Sequence, residues 1–331
     1  MKAWKDNLGR VHNYLRISLT EKCNLRCSYC MPEHGIPLSP RSEMATAEEI
    51  LEFAKIFVAR GVNKIRLTGG EPLVRKDFLG ILTGLSALPV ELAITTNAIL
   101  VDRYIEDFKQ LGLQKINVSL DSLDHQKFKH ITRRDLFEQT FKNILLLEKE
   151  GFEVKLNAVL IKGFNDNEIG DFIQLSEKLN ITIRFIEFMP FDGNNWDHSK
   201  VVSEKEILKI VQENYGEKQI LRIADAPNDT SRNYKISGFK GSFALISSVS
   251  NPFCGSCNRL RLTANGKLKN CLFSSGETDL LKPLREGKNL NSIIEENLKF
   301  KHKSRGGMDS LEKLSDEKLH SKNRSMIAIG G

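Results

Sequence analysis

The sequence predicts an α/β protein, an incomplete barrel of six βα units followed by a smaller α+β module. Three observations carry this. Six short runs of apolar or alternating character recur through the first two thirds of the chain, and helical patterns follow the later ones. Within those runs alternate positions are polar and often basic. All six cysteines fall into two groups of three, one in each region.

The expected strands are 13–19, 64–68, 91–95, 115–120, 153–160 and 182–188. A helix starts after Thr46, where Thr46-x-x-Glu49 is a capping box and Ile50, Phe53, Ala54 and Phe57 recur at helical spacing. Others start near Asp77, Asp102, Leu136 and Asn165. This repeat length is that of βαβ units, so the strands are read as parallel. Six strands fall short of the eight that close a full barrel.

Strands of a parallel sheet covered on both faces should be apolar almost throughout. Here one face carries Leu15, Ile17, Leu19, Ile65, Leu67, Ile116, Val118, Leu120, Leu156, Ile183 and Phe185. The other carries Arg16, Ser18, Lys64, Arg66, Thr68, Thr95, Asn97, Asn117, Ser119, Asp121, Lys155, Asn157 and Arg184. Side chains alternate with period two, so these are two faces of one sheet. The apolar face fits beneath helices. The polar face cannot be a dry core, because unpaired buried cations are too costly. It is expected to line a cavity that takes a multiply charged anion. The overall balance, 49 basic against 42 acidic residues, agrees with an anionic ligand.

The pattern breaks at 190–200 and again at 223–232, where Ala-Pro-Asn-Asp-Thr-Ser intervenes. The second break is taken as the boundary, giving a barrel over 1–225 and a module over 226–331. Between the breaks Ser203-x-x-Glu206 caps one more helix, and short strands are expected at 234–237 and 243–248. The polar, charged stretch 299–325 is expected to be mobile or loosely docked.

The first cysteines form Cys23-x3-Cys27-x2-Cys30. Three thiolates so close can hold one [4Fe–4S] cube but leave one iron open. The second group, Cys254-x2-Cys257-x13-Cys271, is again a triad with no histidine inside it. Structural zinc is the alternative for either, although zinc loops usually pair a CxxC with another CxxC or two histidines. Clustered CxxC spacings without a secretory signal argue for metal over disulfides and for a cytoplasmic protein. No apolar run approaches a membrane span. After the second strand, Thr68-Gly69-Gly70-Glu71-Pro72 puts paired glycines at a strand's C-terminal end, where backbone can approach a ligand. Directly after Cys257, Arg259 and Arg261 would share one face of a strand and offer planar forks suited to phosphate. The chain ends in Met326-Ile-Ala-Ile-Gly330-Gly331.

The Cx3CxxC loop, with aromatic Tyr29 before its third cysteine, resembles the radical S-adenosylmethionine (radical SAM) superfamily. Together with the Gly-Gly-Glu-Pro segment, Thr95-Thr96-Asn97, Asn117-Val-Ser119-Leu-Asp121, 183–189, the Cys254/Cys257/Cys271 element with Arg259-Leu260-Arg261, and the terminal Gly-Gly, it closely resembles the GTP 3′,8-cyclase family of molybdenum-cofactor biosynthesis. The resemblance spans about 4–331. It implies a radical-SAM barrel, SAM and two [4Fe–4S] clusters. Cys23, Cys27 and Cys30 would hold the first cluster, and Cys254, Cys257 and Cys271 the second, whose open iron meets guanine. Tyr29, Gly70, Glu71, Ser119 and Met189 would contact SAM. Arg16, Arg66, Thr95, Lys155, Arg259, Leu260 and Arg261 would contact GTP, with Lys64 and Arg184 as further phosphate partners. Gly330 and Gly331 would reach into the barrel and assist catalysis. The implied reaction uses the 5′-deoxyadenosyl radical from SAM to abstract the C3′ hydrogen of GTP. The C3′ radical then attacks guanine C8, giving 3′,8-cyclo-7,8-dihydro-GTP. Implied partners are a one-electron reductant and a downstream enzyme that takes the product; a homodimer is allowed, and neither nucleic acid nor membrane is expected. Ala98 departs from the family, which often has glycine after Thr-Thr-Asn. Two rivals remain: a peptide-modifying radical SAM enzyme with an auxiliary cluster, and a zinc-stabilised nucleic-acid-binding protein.

Overall fold

A computed structural model describes residues 3–32 and 34–330. The six expected strands form as β1 (Tyr14–Ser18), β2 (Lys64–Thr68), β3 (Glu91–Thr96), β4 (Lys115–Ser119), β5 (Glu153–Leu160) and β6 (Thr182–Glu187). Each pairs in parallel with the next. The connections carry α1 (Ala47–Ala59), α2 (Phe78–Ser86), α3 (Ile105–Gln110), α4 (His125–Thr132), α5 (Phe137–Lys149) and α6 (Ile169–Lys178). The Thr46/Glu49 capping box starts α1 as read, and Ile50, Phe53 and Phe57 pack with Leu15, Ile65 and Leu67 in one core. All the residues assigned to the apolar strand face are fully buried. Helix α4 is absent from the sequence reading. It buries only Phe128, Ile131 and Thr132, and its start is fixed by Asp124 accepting from the Lys127 amide.

The last third contains α7 (Glu204–Tyr215), begun by the expected Ser203/Glu206 box, and the strands β7 (Ile220–Ile223), β8 (Arg232–Ile236), β9 (Ser242–Ile246), β10 (Arg259–Leu262), β11 (Lys267–Lys269) and β12 (Thr278–Asp279). β9 pairs in parallel with β6, and β10 in parallel with β1. The result is one 12-stranded sheet in the order β12-β11-β10-β1-β2-β3-β4-β5-β6-β9-β8-β7. Position 225/226 lies in the connection between β7 and β8, which pair antiparallel, so the sheet continues across it.

One expectation is corrected. The stretch 299–325 is not loosely docked. The Lys301 ammonium donates to the carbonyls of Arg259 and Asn270, and Arg305 donates to the Val249 carbonyl at 2.6 Å. Fully buried Lys269 donates to Asn323 at 2.9 Å, and Met308 and Leu314 join a second core with Phe188, Trp196, Val249 and Phe273. These cations bond backbone carbonyls, so local charge pattern resembles a solvated tail although the segment is packed. No helix among the described residues is long and apolar enough to cross a membrane.

Candidate active site

The loop after β1 carries Cys23, Cys27 and Cys30. It is tied down at several points. The Arg26 and Ser28 amides donate to Thr132 and Ile131 at the end of α4, at 3.0 and 2.9 Å. The Tyr29 hydroxyl donates to Asp121 Oδ2 at 2.9 Å, and Asp121 Oδ1 accepts from the Val159 amide at 2.9 Å. The Gly70 amide donates to Thr20 O at 2.7 Å and the Glu71 amide to Lys22 O at 2.8 Å. A Cβ on Gly70 would strike the Lys22 carbonyl, with its carbon at 2.7 Å and Cys23 Cβ at 3.2 Å. The paired glycines therefore let this loop dock on β2, a role the sequence reading did not give them. Glu71 turns its carboxylate to the Leu73 and Asn97 amides and the Thr96 hydroxyl.

Burial dominates the proton affinities here. It pushes the Cys23 thiol up to about 11, with nearby Glu71 adding to the effect, and raises Cys27 and Cys30 as well. It also raises Asp121 to about 6 and Glu71 to about 7. Every described cysteine is a free thiol. No three His, Cys, Asp or Glu side chains among the described residues converge as ligands of a single ion would. The three thiols on this chamber's wall could hold a multi-iron cube, whose cations would reverse the cost of ionising them. The Leu25 amide, 3.3 Å from Cys23 Sγ, supplies the kind of hydrogen bond that tunes such a sulfur. Gly70, Glu71, Thr95, Ser119, Asp121 and Met189 line the same chamber as this triad.

The second triad gathers at the N-terminal end of β10. Cys254 lies in a short turn, its carbonyl bound by Arg10 at 2.8 Å and its sulfur approached by the Arg305 amide at 3.4 Å. Burial would raise Cys257, but Arg259 and Lys301 more than offset it and lower the thiol to about 6; burial raises Cys271. These three cysteines line a second chamber with Arg16, Arg184, Arg259 and Arg261. Thr95, Asn157, Ile186, Met189 and Met326 stand in the walls of both chambers. Since Arg16 of β1 and Arg184 of β6 face one cavity, the sheet curls around it as a partial barrel.

The cations are set by strand register. Across β10, β1 and β2 one row reads Arg259, Tyr14, Lys64 and the next Arg261, Arg16, Arg66. Burial and mutual repulsion lower Arg16 and Arg261, and burial takes Arg184 to about 10. Arg16 Nε and Arg259 Nη1 are buried donors without an acceptor in the protein, which is what an anion site presents. Arg66 donates to the Tyr14 hydroxyl at 2.6 Å. Arg261 Nη1 donates to the Gly330 carbonyl at 2.6 Å. Gly330 has φ +86°, and a Cβ there would lie 2.8 Å from both Ser18 Cβ and Thr68 Oγ1. Gly331 lies outside the described residues. Leu260, on the opposite side of β10, is fully buried in the core, so only its backbone can meet a ligand. Lys155 and Lys64 sit at the rim, paired with Glu153 at 2.7 Å and Glu91 at 2.6 Å. Ile186 and Met326, in the walls of both chambers, and Tyr14, the partner of Arg66, were not predicted; Tyr14 shares strand parity with Arg16, which was the available signal.

Comparison with known proteins identifies the family. Residues 17–176 match the Radical SAM superfamily and residues 181–306 match Molybdenum Cofactor Synthesis C. The chain is 45% identical over 332 residues to "GTP 3′,8-cyclase, mitochondrial" of Arabidopsis thaliana, covering 98% of this chain and 83% of that one. It is 42% identical over 301 residues to "GTP 3′,8-cyclase" of Peptoclostridium acidaminophilum, covering 89% and 91%. Human "Molybdenum cofactor biosynthesis protein 1" is 44% identical over 330 residues, which are 98% of this chain and 50% of that protein. The chain thus spans about half the length of several curated relatives it matches. Among solved structures, Streptococcus suis SuiB bound to S-adenosylmethionine shares the fold, with a TM-score of 0.59, 15% identity, and coverage of 96% and 77%.

Proposed function

The chain belongs to the GTP 3′,8-cyclase family of the radical SAM superfamily, and from that premise we propose that it converts GTP to 3′,8-cyclo-7,8-dihydro-GTP, an early step of molybdopterin biosynthesis. The family implies an iron–sulfur cluster and SAM. We extend this to two [4Fe–4S] clusters, one on Cys23, Cys27 and Cys30 and one on Cys254, Cys257 and Cys271. When bound, these groups supply the one-electron chemistry that opens the C3′–H bond of GTP.

The observation that carries the reading is the pair of adjoining chambers, each with its own thiol triad, the second walled by Arg16, Arg184, Arg259 and Arg261, of which Arg16 Nε and Arg259 Nη1 lack protein acceptors. The residues of this chain then bind, orient and exclude. Arg16, Arg66, Arg259 and Arg261 grip GTP, with Thr95 on the shared wall and Lys155 at the rim. Each charge-assisted hydrogen bond contributes about 1.5–3 kcal/mol. Tyr29, Gly70, Ser119 and Met189 position SAM, and Glu71 holds the turn that Gly70 belongs to. Ile186, Met189 and Met326 keep water from the space between the chambers, where the reacting carbon must be held. Gly330, held by Arg261, closes the barrel beside Ser18 and Thr68. A one-electron reductant and an enzyme that takes the cyclised nucleotide complete the proposed setting, in the cytoplasm. The barrel (1–225) and the module (226–331) are proposed as its two units.

The test is anaerobic. The chain is reconstituted with iron and sulfide and assayed with SAM, dithionite and GTP. About eight irons per chain, GTP-dependent 5′-deoxyadenosine and a cyclised nucleotide are expected. Iron uptake and SAM cleavage without GTP turnover would redirect the substrate reading, and zinc without iron would end it.

A further inference from the structure

Tyr14 is the one residue in the two cation rows that is not a cation. Strand register surrounds it with Arg259 and Lys64 in its own row and Arg16 and Arg66 in the next. Its contacts are specific. Its hydroxyl accepts from Arg66 Nε at 2.6 Å. The Arg16 guanidinium lies 5.6 Å and the Lys64 ammonium 5.4 Å from its ring centroid. A cation at such a distance is attracted by the ring face. Arg66 is fixed at its other end by donating to the Ile94 carbonyl at 3.1 Å. A serine or leucine at this place would leave the guanidinium groups to repel one another with nothing between them.

We propose that Tyr14 is the positioning residue of the polyphosphate subsite: its hydroxyl sets the angle of the Arg66 fork, its ring spaces Arg16 from Lys64, and its proton follows phosphate occupancy. The inference rests on the reading of the cation-lined chamber as the GTP site. The charged groups around Tyr14 are Arg16 on its own strand, Lys64 and Arg66 on β2, Arg259 and Arg261 on β10, and Arg184 on β6, all cationic. The nearest carboxylate in register, Glu91 on β3, is engaged by Lys64 and Lys115. Burial favours the neutral phenol, but Arg16, Arg66 and Lys64 outweigh it and bring the phenol down to about 7. A polyphosphate shares the same cations and weakens their pull on the phenol. Tyr14 then regains its proton, so binding takes up protons near and above neutral pH, and affinity falls as pH rises.

The experiment uses the reconstituted full chain and its Tyr14→Phe variant, which keeps the ring and loses the hydroxyl. Inorganic tripolyphosphate, GTP and guanosine are titrated calorimetrically at pH 7.5 in two buffers of different ionisation enthalpy, which gives the protons exchanged. For the native chain, relative to the variant, extra uptake of up to about one proton is expected with tripolyphosphate and GTP and none with guanosine. The variant should bind tripolyphosphate and GTP about tenfold more weakly, one charge-assisted hydrogen bond's worth. Its KM for GTP should rise by the same factor while kcat stays within about twofold. Equal proton counts and equal KM in the two proteins would overturn the role of Tyr14 while leaving the GTP site standing. A native chain that binds neither tripolyphosphate nor GTP would overturn both. If the variant does not fold, a native chain whose binding of tripolyphosphate takes up no protons overturns the role by itself.

Discussion

Gly70→Ala should dismantle the first thiol triad and spare the second. The added Cβ meets the Lys22 carbonyl, with the carbonyl carbon 2.7 Å away and Cys23 Cβ at 3.2 Å. Backbone cannot rotate aside as a flexible side chain would, so residues 20–23 must retreat by about 1 Å to restore ordinary contact. That retreat strains two hydrogen bonds, Gly70 N–H to Thr20 O at 2.7 Å and Glu71 N–H to Lys22 O at 2.8 Å. Overpacking of this kind costs about 1–3 kcal/mol, and each weakened bond about 0.5–1.5 kcal/mol. The local penalty is therefore about 2–6 kcal/mol. Cys27 and Cys30 do not share the displacement, because Arg26, Ser28 and Tyr29 are anchored independently to α4 and to Asp121. One thiol thus moves relative to the other two. Iron after reconstitution should fall from about eight to about four per chain, and SAM-dependent deoxyadenosine by about a hundredfold. The second triad, at the other end of β10, keeps its iron. A variant with full iron and full deoxyadenosine formation would refute the reasoning, as would one that lost both clusters together.

Asp121→Asn should flatten the pH dependence of stability between about pH 4 and 6, because burial raises this carboxyl from its ordinary value of 3.8 to about 6. A folded-state pKa raised above the unfolded value gives stability that is full below the unfolded pKa and is lost as pH rises through the folded one; Asn removes about 3 kcal/mol of that loss, read as melting temperature against pH, and an unchanged slope would contradict it. Gly330→Ala combines a backbone of φ +86° with a Cβ 2.8 Å from Ser18 and Thr68. Each effect costs about 1–3 kcal/mol against a bond to Arg261 of similar worth, so Gly330 should leave the barrel and GTP-dependent deoxyadenosine should drop at least about tenfold; an unaltered rate would separate the tail from the chemistry.

The barrel strands were legible because parity is a strong signal. β2 and β5 fall at the expected limits, and most of the polar face, from Arg16 to Arg184, lines the two adjoining chambers, while Lys64 and Lys155 turn to carboxylates at the rim. The capping boxes at Thr46 and Ser203 were legible because each is closed within four residues. What stayed hidden is non-local. Nothing in β9 or β10 says that they will extend the barrel sheet in parallel at its two ends. Nothing near Lys269 or Arg305 says that their partners are Asn323 and the Val249 carbonyl. Leu260 was included with its arginine neighbours although strand alternation already assigns it to the opposite face.

The parallel pairing of β10 with β1 has a consequence for the ligand. The loop with Cys23, Cys27 and Cys30 leaves the C-terminal end of β1, whereas Cys254 and Cys257 precede the N-terminal end of β10. Because those two strands run side by side in the same direction, the triads lie at opposite ends of one patch. Cys271 joins the lower end because β11 returns antiparallel to β10, and the chain two residues past Lys269 is again beside Arg259. From the Tyr14 row to the Ser18 row is four strand residues, about 13 Å. A ligand that touches both ends must therefore be long, and must carry its negative charge against the rows in between. A small neutral substrate would leave Arg16, Arg259 and Arg261 unmatched, and a substrate reaching only one triad would leave the other without purpose. On the proposed function, a nucleoside triphosphate meets both demands: base and ribose supply the length, and the triphosphate carried on the ribose 5′ carbon supplies the charge for the arginine rows beside it.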